Sequence, residues 1–433
     1  VTLTTSSTNS CKFIVALEIV GLVSGSFSNP RDRASAFLLY ATLSLQFISP
    51  DIMDMFSLDK VRDMLPSMPS LSPPPVDETF NATATQPAET ESKPQAELDS
   101  AEPISSLDPQ PIDESRPKSN LDLVNECDSF PYFQSTPQLY LNHVSTYYHL
   151  RVAAYPDTTL GYVLPSVAEV LRGLAEWELD DDERTLTLKA GEDEPTRSAI
   201  LARTTAAMRE IGHFTILKGW RNELYPVYGP APTRELLFSI ERAASALFGI
   251  VTYGIHMTAY TKSASGELKI WTPRRSKTKS TYPGMLDNTV AGGMATGENP
   301  QICCVREASE EASLPEDLVR EKAHSAGTVT YFHIRDSRAG GETRLLQPEC
   351  QYIFDLELPD DVQPKPSDDE VEEFYLMGVD DLKEKLKTGE FKPNCAVVLL
   401  DFFIRHGVLN AQNEPDFIEI VSRLHRKLDF PTA

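Results

Sequence analysis

From Gly254 to the C-terminus, short runs of alternating polarity are separated by turn residues, and three longer runs repeat with a helical period. GELKIW, GTVTYFHIR, CQYIFDLEL and EEFYLMGV read as strands. DDLKEKLKTG reads as a helix, and EFKPNCAVVLLDFFIRHG and PDFIEIVSRLHRKL as two terminal helices. Upstream, YLNHVSTYYHLRV and TTLGYVLP mix helix and strand, SVAEVLRGL is a short helix, and LTLKAG is a strand turning at glycine. RSAILARTTAAMREIG follows as an amphipathic helix with a small-residue face, then HFTILKGWRNELYPVYG as strand and loop. This order predicts an α/β fold. A mixed sheet between helical layers spans residues 254–433, with a small α/β domain over 123–253 before it.

The first 122 residues follow neither period. From Pro66 to Asn120 the chain is dominated by Pro, Ser, Glu, Asp, Thr and Ala, as in SLSPPPVDETF. Such a stretch buries too little apolar surface to offset its backbone entropy, so a disordered acidic tail or linker is expected. Within it, Asn81-Ala82-Thr83 fits a glycosylation acceptor pattern, idle in a cytosolic chain. In residues 1–52 the apolar runs FIVALEIVGLV and ASAFLLYATLSLQFI are both shorter than the roughly 20 residues that span a bilayer. The preferred expectation is that translation starts near Met53 or Met55; an organelle transit peptide is the alternative.

The chemistry concentrates between Gly292 and Leu314, in GGMATGENPQICCVREASEEASL. Asn299 and Pro300 suit a helix cap and first turn, so a helix is expected from about Pro300 to Ala312. Glu307, Glu310 and Glu311 then stand at i, i+3 and i+4 and share one face. No cation is expected one turn away on that stripe to neutralise them. A divalent metal would, and Mg²⁺ takes a few carboxylates while keeping waters and phosphate oxygens in its shell. Gly292 and Gly293 allow close approach of a ligand, and Glu298 falls near the helix's positive end.

The spacing G-x5-E-x7-R-E-U-x-E-E-x-G-U resembles the signature of the Nudix hydrolases, with Gly292, Glu298, Arg306, Glu307, Ala308, Glu310, Glu311 and Leu314 in register. Ser313 departs, standing where the signature has glycine; a left-handed backbone there would cost on the order of 1 kcal/mol. The resemblance implies a Nudix α/β/α sandwich and a mechanism in which water held by Mg²⁺, or Mn²⁺, attacks one phosphorus of a diphosphate. It implies Glu307, Glu310 and Glu311 as metal ligands, Arg306 as the arginine that orients the first of them, and Glu298 as an outer carboxylate. The general base is left open between the helix and a later loop, where Glu370 and Glu373 in DDEVEEF are the candidates, with a solvated loop as the bland reading.

Over GYVLPSVAEVLRG, GWRNELYPVYG, FSIERAASALFGIVTYGIHM, PRRSKTKSTYPGMLDNTVAGGM and REASEEASLPEDL, the chain is similar to a narrower group, the Nudix portion beside thiamin pyrophosphokinase in some eukaryotic proteins. That resemblance implies hydrolysis of thiamine diphosphate, or its oxidised and damaged analogues, to the monophosphate and phosphate. It does not imply the kinase, because too little chain follows. Isopentenyl diphosphate isomerisation on the same fold is disfavoured: Val290 and Ala291 stand where a thiol is needed, and Cys303 and Cys304 lie on the apolar side of the helix. The other functions in view are hydrolysis of another nucleoside-diphosphate-type substrate and a Nudix-fold sensing module without turnover.

Arg274, Arg275, Lys277 and Lys279 lie just before the box and are read either as a phosphate clamp or as solubilising charge, with Arg275 and Lys279 the preferred substrate-binding pair. Trp220, Arg221, Glu223 and Tyr225 could meet a heterocycle or phosphate, or simply pack. Thr328, Tyr331, Phe332 and Arg335 are read as alternating toward a pocket or a core. His213, His333 and His406 are scattered singly and receive no catalytic part. A formal charge of −24 and a pI near 4.8 argue against nucleic-acid or anionic-membrane partners. The expected partner is a small-molecule diphosphate, with a homodimer left open. Six cysteines without CxxC spacing favour a reducing compartment, the cytosol first and a mitochondrion second.

Overall fold

The computed structural model describes residues 116–367 and 369–433. The expected tail, the apolar runs of residues 1–52 and the acceptor pattern at Asn81 all lie outside them. Regular structure begins at helix Asn120–Cys127, because Ser119 and Asp122 close a capping box around its first turn. Leu123, Val124 and Cys127 of this helix are buried with Phe403 and Leu424 near the other end of the chain. Asp128 then accepts hydrogen bonds from Arg426 Nη1 (2.9 Å) and the Phe332 amide (2.9 Å). In space, residues 120–130 therefore belong with the C-terminal helices.

The smaller sheet is built from Tyr148–Val152 (β1), Gly161–Val163 (β2), Trp177–Asp180 (β3) and Thr185–Leu188 (β4), in the order β2-β1-β4-β3. Helix Glu194–Ile211 follows, started by the Asp193 side chain on the Thr196 amide and stopped by Gly212 at φ 71°. The stretch expected to be strand from His213 is a 3-10 turn over Thr215–Gly219, and strand begins only at Leu224–Tyr228 (β5). Asn222, in the left-handed region at φ 58°, turns the chain just before it. β5 pairs with Leu236–Glu241 (β6) in a hairpin.

The larger sheet contains Thr252–Lys262 (β7), Leu268–Arg275 (β8), Val290–Gly293 (β9), His324–Ile334 (β10), Leu346–Glu357 (β11) and Val371–Gly378 (β12). Its order is β10-β11-β7-β8-β12, with β9 also pairing with β7. β11 and β7 run parallel while the other pairs are antiparallel, so the sheet is mixed as expected. Helix Pro300–Ala312 covers one face, where Cys303, Cys304 and Ala308 cluster with Ile255, Met257, Phe332 and Phe354. Helix Pro393–Arg405 covers the other, packing Leu399, Leu400, Phe402 and Phe403 with Val329 and Ile353. Each fully buried Leu or Phe contributes about 2 kcal/mol of hydrophobic stabilisation.

Strand parity sorts the residues expected to alternate along β10. Tyr331 and Arg335 face a cavity, whereas Phe332 lies in the core beneath the box helix. One residue of offset on a pleated strand reverses the face, so Phe332 cannot join them.

Candidate active site

The box helix forms as its sequence dictates. Asn299 Oδ1 accepts from the Ile302 amide at 2.9 Å, and Pro300 occupies the first turn, where its missing N–H costs nothing. At the far end Ser313 adopts φ 52° and the Leu314 amide reaches back to the Ala308 carbonyl at 3.1 Å. The left-handed exit survives without glycine.

On this helix Glu307 turns inward and Glu310 outward. A Cβ built on Gly292 would lie 2.0 Å from Glu307 Cδ, so the carboxylate rests directly on the glycine backbone of β9. Glu311 accepts from the neighbouring Ala291 amide at 3.1 Å. Burial raises the pKa of Glu307. It raises Glu311 further, to about 8, with the charges of Glu307 and Asp287 adding to the effect.

Arg306 overturns the expectation that no cation meets this stripe. Its Nε and Nη2 hold Glu298 at 2.9 and 3.0 Å, and its Nη1 reaches Glu307 at 2.8 Å and Glu310 at 3.0 Å. The guanidinium folds over the helix face, because i to i+4 is one turn. Glu310 is thereby drawn away, and among the described residues no three His, Cys, Asp or Glu side chains form a ready-made metal cage. The donor chemistry still fits Mg²⁺. Glu307 and Glu311 are adjacent carboxylates that burial disfavours as anions, and a hard divalent ion would relieve that cost while leaving coordination places for water and phosphate.

Above β9 lies a cavity of about 490 Å³. Its floor is one face of the large sheet: Gly292 and Gly293 on β9, Gly254 and His256 on β7, Glu349 and Gln351 on β11, and Tyr331 and His333 on β10. Cross-strand register aligns Gly293 with Gly254 and Gly254 with Gln351. Gln351 Nε2 and the Tyr331 hydroxyl both donate to Glu349 Oε2, at 2.7 and 2.6 Å. His333 was given no part from sequence. It is 8% exposed and neither ring nitrogen has a partner among the described residues. Burial lowers its pKa, which leaves a neutral imidazole with one donor and one acceptor toward the cavity. Sequence reasoning missed it because a lone histidine in a strand carries no spacing signal.

The basic run before the box is placed differently. Arg275 is buried against Asp287, Nη1 to Oδ2 2.6 Å, and also donates to the Tyr282 and Thr281 carbonyls. Lys279 pairs with Glu370, Arg274 with Glu390 at 3.4 Å, and Lys277 with Glu372 at 3.9 Å. Neither Arg275 nor Lys279 lines the cavity. Glu370 also accepts from Arg221 at 3.3 Å. Burial works against its charge, but the Lys279 contact outweighs that and holds its pKa below the ordinary value. Glu373 is exposed on β12. Of the group Trp220, Arg221, Glu223 and Tyr225, only Arg221 and Tyr225 line the cavity. Trp220 stacks with Arg209, and Glu223 anchors Arg242 at 2.8 Å.

The model of the NUDIX domain matches residues 256–395, the stretch that holds this helix and most of the cavity floor. This stretch is a NUDIX domain. Residues 141–252 match a domain of unknown function, DUF4743. An uncharacterized protein of Saccharomyces cerevisiae is 34% identical over 326 residues, covering 72% of this chain and 92% of the yeast protein. Nudix hydrolase 20, chloroplastic, of Arabidopsis thaliana is 38% identical over 218 residues, covering 50% of this chain. The matched part spans 55% of that plant relative. A Deinococcus radiodurans crystal structure is 20% identical with a TM-score of 0.28, covering 47% of this chain and 100% of that one. Within the NUDIX domain Gly292 rests on Glu307, Gly293 meets Tyr225 and Arg242, and both glycines line the cavity.

Proposed function

We propose that this Nudix domain hydrolyses a diphosphate of the thiamine diphosphate type, intact or oxidised, to the monophosphate and phosphate in the presence of Mg²⁺. The observation that carries this reading is the cavity above β9. It joins the box glycines to a polar end where His333, Glu349, Gln351 and Tyr331 offer donors and acceptors to the edge of a flat heterocycle. Glu307 and Glu311 would hold the metal, with Glu310 completing the set once released from Arg306; Mn²⁺ suits the same donors. Bound there, the ion would supply Lewis-acid stabilisation of charge on the bridging oxygen. Arg306 fixes the orientation of Glu307, and Glu298 fixes Arg306. Glu370, ionised and tied to the cavity residue Arg221, is the distal candidate for the base. Gly292 and Gly293 admit the phosphates, because any side chain would strike Glu307 or Tyr225. Arg275 and Lys279 shape the loop above rather than touch substrate. The charge of −24 supports a small-molecule partner over nucleic acid or anionic lipid. The plant relative's chloroplastic label supports an organelle as the alternative to the cytosol.

The test is phosphate release from thiamine diphosphate and oxythiamine diphosphate with and without Mg²⁺, set against ADP-ribose and nucleoside triphosphates. Turnover is expected only with the divalent ion and best on the thiamine compounds. Glu311→Gln is expected to lose at least a hundredfold in turnover with its thermal midpoint unchanged or raised, since it removes a disfavoured buried charge. Release that survives this change, or metal-independent release, would sink the proposal.

A further inference from the structure

The module before the Nudix domain, residues 141–252, is matched only as a domain of unknown function, yet it builds one wall of the cavity. Thr215, Ile216, Lys218, Arg221, Tyr225 and Arg242 all come from it. Its placement is fixed by direct bonds. The Thr296 amide donates to the Leu224 carbonyl at 2.8 Å, Thr296 Oγ1 meets Ser239 Oγ at 3.1 Å, and the Thr215 and Ile216 amides donate to Glu342 at 2.5 and 3.0 Å. Within the module, Glu241 accepts from the Arg221 amide at 2.9 Å and from the Ala243 amide at 3.3 Å, which ties the Arg221 turn to the segment that carries Arg242.

Two of these side chains stand over the box. A Cβ added to Gly293 would lie 2.0 Å from the Tyr225 hydroxyl and 3.2 Å from Arg242 Cζ. Arg242 leans on the Tyr225 ring, 5.6 Å to the centroid, and spends Nη1 on Glu223. Its Nε and Nη2 donate to no protein group among the described residues. Lys218 likewise has no acidic partner there, and Arg221 keeps only a partly exposed pair with Glu370. These three cations of the module thus line a cavity whose floor includes Gly292, the glycine that rests on Glu307, while the basic run nearest in sequence is committed elsewhere. A guanidinium fork with free donors is suited to two oxygens of a phosphate.

We propose that this module is a working half of the active site: Arg242, backed by Arg221 and Lys218, binds the diphosphate oxygens that the box glycines expose. The inference rests on reading the cavity as a diphosphate site, but not on which organic group the diphosphate carries. Imidodiphosphate, a non-hydrolysable P–N–P analogue, titrated into the full chain with Mg²⁺ by calorimetry, tests it directly. Arg242→Gln is expected to weaken binding at least tenfold and Arg221→Gln about threefold, each flattening the salt dependence, while Lys277→Gln leaves both unchanged. A purely structural role would move the melting temperature without changing the salt slope. Arg221 is exposed enough that its variant reports even if Arg242→Gln folds poorly. The proposal is overturned if the parent chain does not bind imidodiphosphate, or if Arg242→Gln and Arg221→Gln bind it as the parent does. A parent that binds it through Arg242 yet leaves thiamine diphosphate intact would retire the substrate reading and support this one.

Discussion

Two groups of basic residues precede the Nudix box, and they differ in a way their sequence positions conceal. Arg274, Arg275, Lys277 and Lys279 lie within 20 residues of Gly292 and look like a clamp. Each is neutralised by a carboxylate, and the preferred pair, Arg275 and Lys279, stays off the cavity lining. Lys218, Arg221 and Arg242 lie 50 or more residues upstream, in another module, and line the cavity, although Arg221 and Arg242 each also meet one carboxylate, Glu370 and Glu223. A cation's use is set by what already accepts its hydrogen bonds, because a buried charge finds a partner or is not tolerated. Density of charge in the chain says little about that.

The largest effect expected from the first group is on stability. Arg275 and Asp287 are 8% and 7% exposed, so Arg275→Gln strands a buried carboxylate and should cost about 3 to 5 kcal/mol in urea unfolding. Imidodiphosphate affinity should stay within twofold of the parent, the reverse of the result expected at Arg242. A tenfold loss of affinity would return Arg275 to the phosphate and erase the contrast.

A smaller effect tests how far this buried network reaches. His256, hydrogen-bonded to Asn288 at 2.7 Å, is held neutral by burial and then by the charge of Lys392, its pKa falling from 6.5 to about 4. Between these values the unfolded chain binds a proton that the folded one refuses. Stability is therefore present above about pH 6.5 and is lost as pH drops toward 4, by on the order of 3 kcal/mol at most. His256→Asn should flatten the melting temperature profile across that window; an unchanged slope would show that other groups govern it. The smallest effect is expected at Ser313→Gly, which relieves a φ of 52° and should add about 1 kcal/mol without altering phosphate binding. No gain in the melting temperature would mean the serine is not strained.

Much of the fold was legible in the chain. The alternating runs became strands β8, β10, β11 and β12, and the box helix spans Pro300–Ala312 as its cap and spacing require. The hairpin β5–β6 and the tiny strand β9 were missed, since Pro226, Ser239 and paired glycines mask a period-2 pattern. Of the candidate site, the closeness of Glu307 and Glu311 to Gly292 and Ala291 was legible, because one helix turn and one short loop fix their relations locally. Arg306 as the neutraliser of Glu310 was not legible, because a long guanidinium side chain reaches either along its own helix or out to a loop and the spacing does not say which. His333 and Arg242 have no local signal at all.

The sequence alone determined the box helix and the carboxylates it gathers, because spacings of three and four residues in a helix put side chains on one face whatever surrounds them. Tertiary structure alone decided which cations stay available, which face of β10 meets the cavity, and that a separate module closes it. Those outcomes depend on partners brought together from more than 100 residues apart, such as Arg221 with Glu370 and Thr215 with Glu342, and no local rule encodes them.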